Sequence, residues 1–293
     1  MRGERGRGIL VLISITALWG ISFPLVGEVV DGRTQGQVLY FLFLRFGLAS
    51  LGFLPIARPL WRATKRAGLG AWAVAILVGC VLFCGFYLQT WGLQHTSASR
   101  CAFITMLSVP MVPLLAAIQH RRAPSKVMMI GAGLATIGTG LVLAPQGALQ
   151  PNFGDALTLG SAFFFALEIL LLEWATRRAP TSIIAAGQIL GVALLAGLAC
   201  LVVPFDLPDQ WPGLATGVLV TGLVCTTLAL GGMTWGQARV KAEVAAVIFT
   251  LEPIFASLFV WLYLGVAMTP LQILGGTIVF GSVAWATRAQ ESN

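Results

Sequence analysis

Charge is what this sequence has least of. Only 10% of its 293 residues are Asp, Glu, Lys or Arg, where a soluble domain carries about 25% to clothe its surface. A water-facing globule is excluded, because most of the surface must meet something other than water. Histidine is scarcer still. His95 and His120 are the only two, they fall at the ends of different apolar runs, and no ligand cluster surrounds either, so no metal centre is expected. Cys80, Cys84, Cys101, Cys200 and Cys225 all lie inside apolar runs and not in the exposed oxidising loops where disulfides form. They read as small packing groups. No aspartate occupies the interior of an apolar run, which removes the magnesium–diphosphate chemistry of prenyl transferases and the paired aspartates of intramembrane proteases. The pattern G-x-x-x-x-G-K-[ST] is absent and no loop is long enough for a nucleotide-binding domain, so ATP hydrolysis is excluded and no cofactor is expected.

What fills the space is apolar: 57% of the chain. A hydrocarbon crossing needs about 20 apolar residues, and runs of that length recur at 9–28, 36–56, 71–93, 98–118, 127–144, 155–174, 182–203, 213–235, 243–264 and 269–287. The first run follows Arg2, Arg5 and Arg7 as a signal peptide would, but it lacks an A-x-A-like cleavage site and is expected to stay as the first helix. With ten passes, all but three of the 18 Lys and Arg fall on one side; the exceptions are Arg33, Arg45 and Arg100. That side is the cytoplasm by the positive-inside rule, with both termini on it, and a bacterial inner membrane is the expected location. The net charge of +7 is accounted for by these short clusters, which do not form the continuous basic face that nucleic acid needs.

The chain also resembles itself. Ala98-Ser-Arg-Cys-Ala-Phe-Ile-Thr-Met-Leu-Ser-Val-Pro110 lies over Lys241-Ala-Glu-Val-Ala-Ala-Val-Ile-Phe-Thr-Leu-Glu-Pro253, each a polar lead, an apolar run and a mid-helix proline. The same alignment sets Gln94 on Gln237 and Arg45 on Gln188. Five passes per repeat is an odd number, so the second half must enter the membrane from the opposite face. The expectation is an all-α polytopic membrane protein of ten transmembrane helices in two inverted five-helix repeats, 1–145 and 146–293. Inverted repeats characterise secondary transporters. Gly187 and Gly191 form a G-x-x-x-G pair for helix packing, with Gly131 and Ala135 as a weaker equivalent.

Trp19-Gly-Ile-Ser-Phe-Pro24, Arg45, the Gln94–Ser99 turn and Leu251-Glu-Pro253 resemble the marks of the drug/metabolite transporter superfamily, EamA type. The likeness covers almost the whole chain and is closest to the bacterial exporters of aromatic and neutral amino acids. It departs at Phe163-Phe-Phe-Ala166, where a tryptophan is common in the family. The resemblance implies a carrier of a small metabolite; the expected partners are that solute and the lipid bilayer, and a monomer is the expected state. A carrier for nucleotide sugars would want several cavity cations where only Arg45 is on offer, and a channel is disfavoured by opposed repeats with mid-helix prolines.

Arg45, Glu168 and Glu252 sit near mid-membrane, where each costs about 2.5–3.5 kcal/mol on insertion scales if left facing lipid. They must face a cavity, the bundle interior or one another. Arg45 reads either as the partner of a substrate carboxylate or as half of a structural pair with one acid. Glu252 reads either as a cavity group or as a partner for backbone donors freed by Pro253. Trp19, Phe23, Tyr87, Trp91, Phe103, Phe164 and Trp235 are the aromatic cavity candidates, and Trp61, Trp72, Trp211 and Trp261 read as interfacial anchors. Pro24, Pro110, Pro113 and Pro253 place kinks, with Pro110 and Pro253 the candidate paired hinges.

Overall fold

The computed structural model describes residues 2–20, 22–143, 151–207, 210–265 and 267–289, and among them there is no strand. Lipid offers backbone groups no partner, so each apolar run must satisfy its own as a helix. In the first half the helices are α1 (Arg2–Gly20), α2 (Ser22–Val30), α3 (Gln35–Leu51), α4 (Ala57–Ala67), α5 (Leu69–Leu93), α6 (Ala98–Met106), α7 (Ser108–His120) and α8 (Lys126–Leu143). In the second they are α9 (Phe153–Thr176), α10 (Thr181–Val202), α11 (Leu214–Leu219), a π-helical stretch Val220–Leu228, α12 (Ala229–Gln237), α13 (Ala242–Phe249), α14 (Glu252–Leu264) and α15 (Pro270–Ala289). Nine helical segments among the described residues are long and apolar enough to cross a membrane. The pair α1 and α2 supplies the tenth expected pass in two pieces, with Ile21 between them outside the described residues.

Helix starts follow local chemistry. Thr34 and Gln37 form a reciprocal capping box on α3, and Asn152 and Asp155 form one on α9. One segment departs from expectation. The basic stretch after α3, which falls between two apolar runs, folds as α4 because its cations Arg58, Arg62, Lys65 and Arg66 recur at helical spacing on one face while Leu60 and Ala63 pack inward.

The aligned prolines act at equivalent places. Pro110 has no N–H for the carbonyl of Met106, and α6 ends at Met106. Pro253 has none for Phe249, and α13 ends at Phe249. The fourth and ninth passes are therefore both broken helices, each interrupted one turn before its proline.

Contacts between the halves come in matching sets. α5 packs on α9 as α1 packs on α12; α6 and α7 pack on α9 as α13 and α14 pack on α1; α5 packs on α10 as α3 packs on the π stretch. The pairs α3 with α10, α7 with α13 and α8 with α15 join equivalent helices. This is the pattern of a twofold exchange, and an odd number of passes per half puts its axis in the membrane plane.

Small residues set the closest approaches. A Cβ on Gly79 would stand 2.6 Å from the Gln188 carbonyl oxygen, and one on Gly187 would stand 2.4 Å from Ala75 Cβ, so the G-x-x-x-G face of α10 meets a matching small-residue face of α5. In α8, Gly131 faces Ala286 at 4.0 Å, but the tighter approach is at Gly138, whose Cβ would lie 2.7 Å from the Gly275 carbonyl oxygen. Leu10, Ile118, Leu198 and Leu201 point outward with the rest of the exposed apolar belt.

Candidate functional site

The two broken passes close on a cavity between the halves. With its open mouth counted, the space between its walls is about 840 Å³. Side chains from α1, α2, α3, α5, α6, α7, α9, α12, α13 and α14 line it, while α8, α10 and α15 stand outside.

Arg45 is brought in by the middle of α3 and is only 3% exposed. Its Nε–H donates to Thr226 Oγ1 at 2.9 Å, and its guanidinium lies 5.1 Å from the Phe86 ring centre and 5.4 Å from that of Phe46. Thr226 belongs to the π stretch, and its hydroxyl donates at 2.7 Å to the Thr221 carbonyl five residues back. The wider turn also turns the Cys225 carbonyl toward α1, where Trp19 Nε1–H donates to it at 3.0 Å. π-turns inside α-helices gather at functional sites. Here one turn anchors two cavity residues.

The Trp19–Gly20 dipeptide has a packing reason. Trp19 also meets Phe249 edge-on, ring centres 5.4 Å apart. A Cβ on Gly20 would lie 2.9 Å from the Ala256 amide nitrogen and 3.2 Å from the Glu252 carbonyl oxygen, so only glycine lets α1 lie this close to α14.

Glu168 and Glu252 line the same cavity. Among the described residues no ion pair joins either to Arg45. Glu168 is 1% exposed and its Oε1 has no hydrogen-bond partner. Met106 and Phe249, whose carbonyls the prolines leave without their usual donors, are both in the wall. Gln89 Nε2 donates to Thr105 Oγ1 at 3.1 Å on the opposite side. Among the described residues the wall thus carries one cation, two acids without an ion pair, and the aromatic side chains of Trp19, Phe86, Phe165 and Phe249.

Of the residues expected here, Trp19, Arg45, Glu168 and Glu252 are brought together. Tyr87 lies outside the lining, stacked on Phe83 and bonded to Gln35. Trp91 stands edge-on to His95 at 5.0 Å, Phe103 packs against Gly140, and Trp235 carries the Arg239 guanidinium 3.7 Å from its ring centre. Phe164 meets Phe163, while its neighbour Phe165 faces the cavity. The side chains of Phe23 and Pro24 lie outside the described residues. Sequence reasoning passed over Phe86, Gln89, Thr90, Thr105, Ser108 and Thr226. For all but Phe86 a signal was available: isolated polar side chains within apolar runs.

Both ends of the bundle are tied. At one, Arg100 pairs with Asp155 at 2.5 Å and Thr96 donates to Asp155 at 3.0 Å. At the end carrying the termini, Arg239 pairs with Glu4 at 2.9 Å, and Glu173 Oε2 accepts the Ala242 N–H at 2.8 Å, capping α13.

Comparison with known proteins agrees with this architecture. The model of the EamA-like transporter family matches twice, over residues 6–144 and 152–288. A probable biotin transporter of Pseudomonas aeruginosa is 30% identical, covering 94% of this chain and 96% of that protein. An uncharacterized transporter of Archaeoglobus fulgidus is 27% identical over 94% of this chain and 83% of its own, and the biotin transporter of Escherichia coli is 27% identical over 79% and 77%. One solved structure superposes with a TM-score of 0.75 over 96% of both chains at 18% identity, a likeness of fold. The chain is a multi-pass membrane transporter of small molecules and belongs to the EamA-like transporter family.

Proposed function

We propose that the protein is a secondary exporter of small zwitterionic metabolites, amino acids with aromatic or other neutral side chains first among them, working by alternating access. The observation that carries this is the company Arg45 keeps. Among the described residues, a buried cation without an acidic partner lines one cavity with two acids that lack a cationic one. A solute carrying both a carboxylate and an ammonium completes all three. Arg45 takes the carboxylate, Glu168 or Glu252 with the Met106 and Phe249 carbonyls takes the ammonium, and Trp19, Phe86 and Phe165 pack on the side chain. The repeats 1–145 and 146–293 rock about Pro110 and Pro253, so that the tie at Arg100–Asp155 and the ties at Glu4–Arg239 and Glu173–Ala242 open in turn. The termini face the cytoplasm of a bacterial inner membrane, the chain acts as a monomer, and it performs no catalysis.

A second cargo is favoured by the relatives named as biotin transporters. Biotin has a carboxylate for Arg45 and a neutral ring body, but no ammonium for the acids. Counterflow in proteoliposomes separates the two. Labelled L-phenylalanine should exchange against unlabelled L-phenylalanine, and Glu168→Gln with Glu252→Gln should abolish it. Exchange of biotin but of no amino acid, or biotin exchange indifferent to both glutamates, would remove the zwitterion reading.

A further inference from the structure

A second polar pocket lies at the end of the bundle that carries the termini. Glu173, Thr176 and Arg177 from the end of α9 line it, with Gln237 from the last turn of α12 and Arg239 and Lys241 from the link to α13. Gln237 is 2% exposed, and neither its Oε1 nor its Nε2 has a hydrogen-bond partner. A buried amide with both ends unmade costs roughly 1–3 kcal/mol per group, a cost that a polar occupant of the adjoining pocket would relieve. The charges around it favour an anion. Arg177 pairs with Glu173 and Arg239 with Glu4, while Lys241, which feels Glu243 beyond ion-pair distance, forms no ion pair among the described residues; the wall's own side chains are one acid and three cations, net positive.

The pocket lies on the line of the central cavity. Met233 and Ile169 form part of that cavity's wall, and Gln237 and Glu173 follow each by four residues, one turn or about 6 Å along α12 and α9. The barrier between the two spaces is a single helical turn. Gln94, which the repeat alignment sets on Gln237, ends α5 at the opposite end of the bundle, and its Nε2 is also buried without a partner. Equivalent orphaned amides thus mark the two ends of one path.

We propose that the Gln237 pocket is a second solute site, an antechamber where a small carboxylate-bearing solute is held before it passes the Met233–Ile169 turn. Gln237 Nε2 and the cations of Arg177 and Lys241 take the carboxylate, and Gln237 Oε1 takes an N–H of the solute. The inference rests on the carrier reading above.

The test is Gln237→Leu in proteoliposomes, with labelled L-phenylalanine and biotin offered separately from each side. Removing an unsatisfied amide should leave the melting temperature unchanged or higher. KM from the side carrying the termini should rise about tenfold, the loss of one good hydrogen bond, with kcat within about twofold and KM from the other side unchanged. Arg177→Gln should move KM from the same side in the same direction. Gln237→Met, similar in length and apolar, replaces the leucine variant if that one does not accumulate. Unchanged KM from both sides, or a rise that appears equally from both, overturns the proposal. So does competition by inorganic phosphate at the wild-type site equal to that by the solute, or disappearance of the effect when anionic lipid is replaced by phosphatidylcholine. If the wild-type protein carries neither solute, the carrier reading itself has failed, which is a different result.

Discussion

Replacing Arg45 with leucine sets two energies against each other. The guanidinium is 3% exposed and makes one hydrogen bond to a side chain, Nε to Thr226 Oγ1 at 2.9 Å. Losing a hydrogen bond to a charged group costs about 1.5–3 kcal/mol. Thr226 is not stranded by the loss, because its hydroxyl still donates to the Thr221 carbonyl at 2.7 Å. Against this stands the removal of a cation from the membrane interior, about 2.5–3.5 kcal/mol on insertion scales. The terms nearly cancel, so Arg45→Leu should unfold within about 1 kcal/mol of the parent. Binding is different under the zwitterion reading, since the solute's carboxylate would lose the one cation among the described cavity residues. The same 1.5–3 kcal/mol then appears undiluted, a weakening of about 10- to 150-fold in Kd.

The assay is paired: equilibrium binding of labelled L-phenylalanine to detergent-solubilised protein, and reversible unfolding in sodium dodecyl sulfate of the same preparations. Arg45→Lys should fall between, because a lysine keeps the charge but not the fixed Nε–H that meets Thr226. A large loss of stability with unchanged affinity would refute the reasoning. It would mean that the bond to the π stretch is the purpose of Arg45 and that the cavity charge is incidental.

Other outcomes follow from the same geometry. Gly79→Ala should destabilise by about 1–3 kcal/mol, as overpacking does, because its Cβ would meet Gln188 and Gly191 backbone atoms at 2.6 and 3.0 Å. Gly133→Ala, with nothing within 4 Å, should be neutral or stabilise by up to about 1 kcal/mol, and equal effects of the two in thermal unfolding would count against the packing argument. Pro110→Ala with Pro253→Ala should return donors to the Met106 and Phe249 carbonyls, raise the melting temperature and slow counterflow at least about tenfold; unchanged flux would remove the paired hinges. Glu173→Gln keeps an acceptor for the Ala242 N–H but loses the ion pair with Arg177, which is largely exposed, so less than about 1 kcal/mol should be lost, and a larger loss would show that the cap depends on charge.

How much of this was legible beforehand depends on the kind of force involved. The passes were legible because hydrocarbon admits helices and little else, so apolar length alone located them. The repeat was legible because proline acts through its own missing N–H. Aligning Pro110 with Pro253 was enough to align the breaks at Met106 and Phe249. Burial of Arg45, Glu168 and Glu252 followed from cost. The partners did not follow from it. Tyr87, Trp91, Phe103 and Trp235 are as aromatic as Phe86 and Phe249, and only helix rotation, fixed by glycines at distant contacts, decides which of them faces the cavity.

The π stretch is the clearest case of what composition cannot carry. Arg45 and Gln188 are equivalent in the repeat, and each reaches a threonine of the eighth pass, Thr226 at 2.9 Å and Thr234 at 3.0 Å. Gln188 is wholly buried and is not part of the central cavity's wall; Arg45 is. The difference arises opposite them. In the second half the hydrogen-bond register widens over Val220–Leu228, while the equivalent helix α5 is regular from Leu69 to Leu93. That extra width frees the Cys225 carbonyl for Trp19 and turns Thr226 to Arg45. A twofold fold could have held two like sites. Because the second half has Gln188 where the first has Arg45, the described cavity wall carries a single cation, held from one side by the widened turn, and under the proposed reading that gives a zwitterion one orientation.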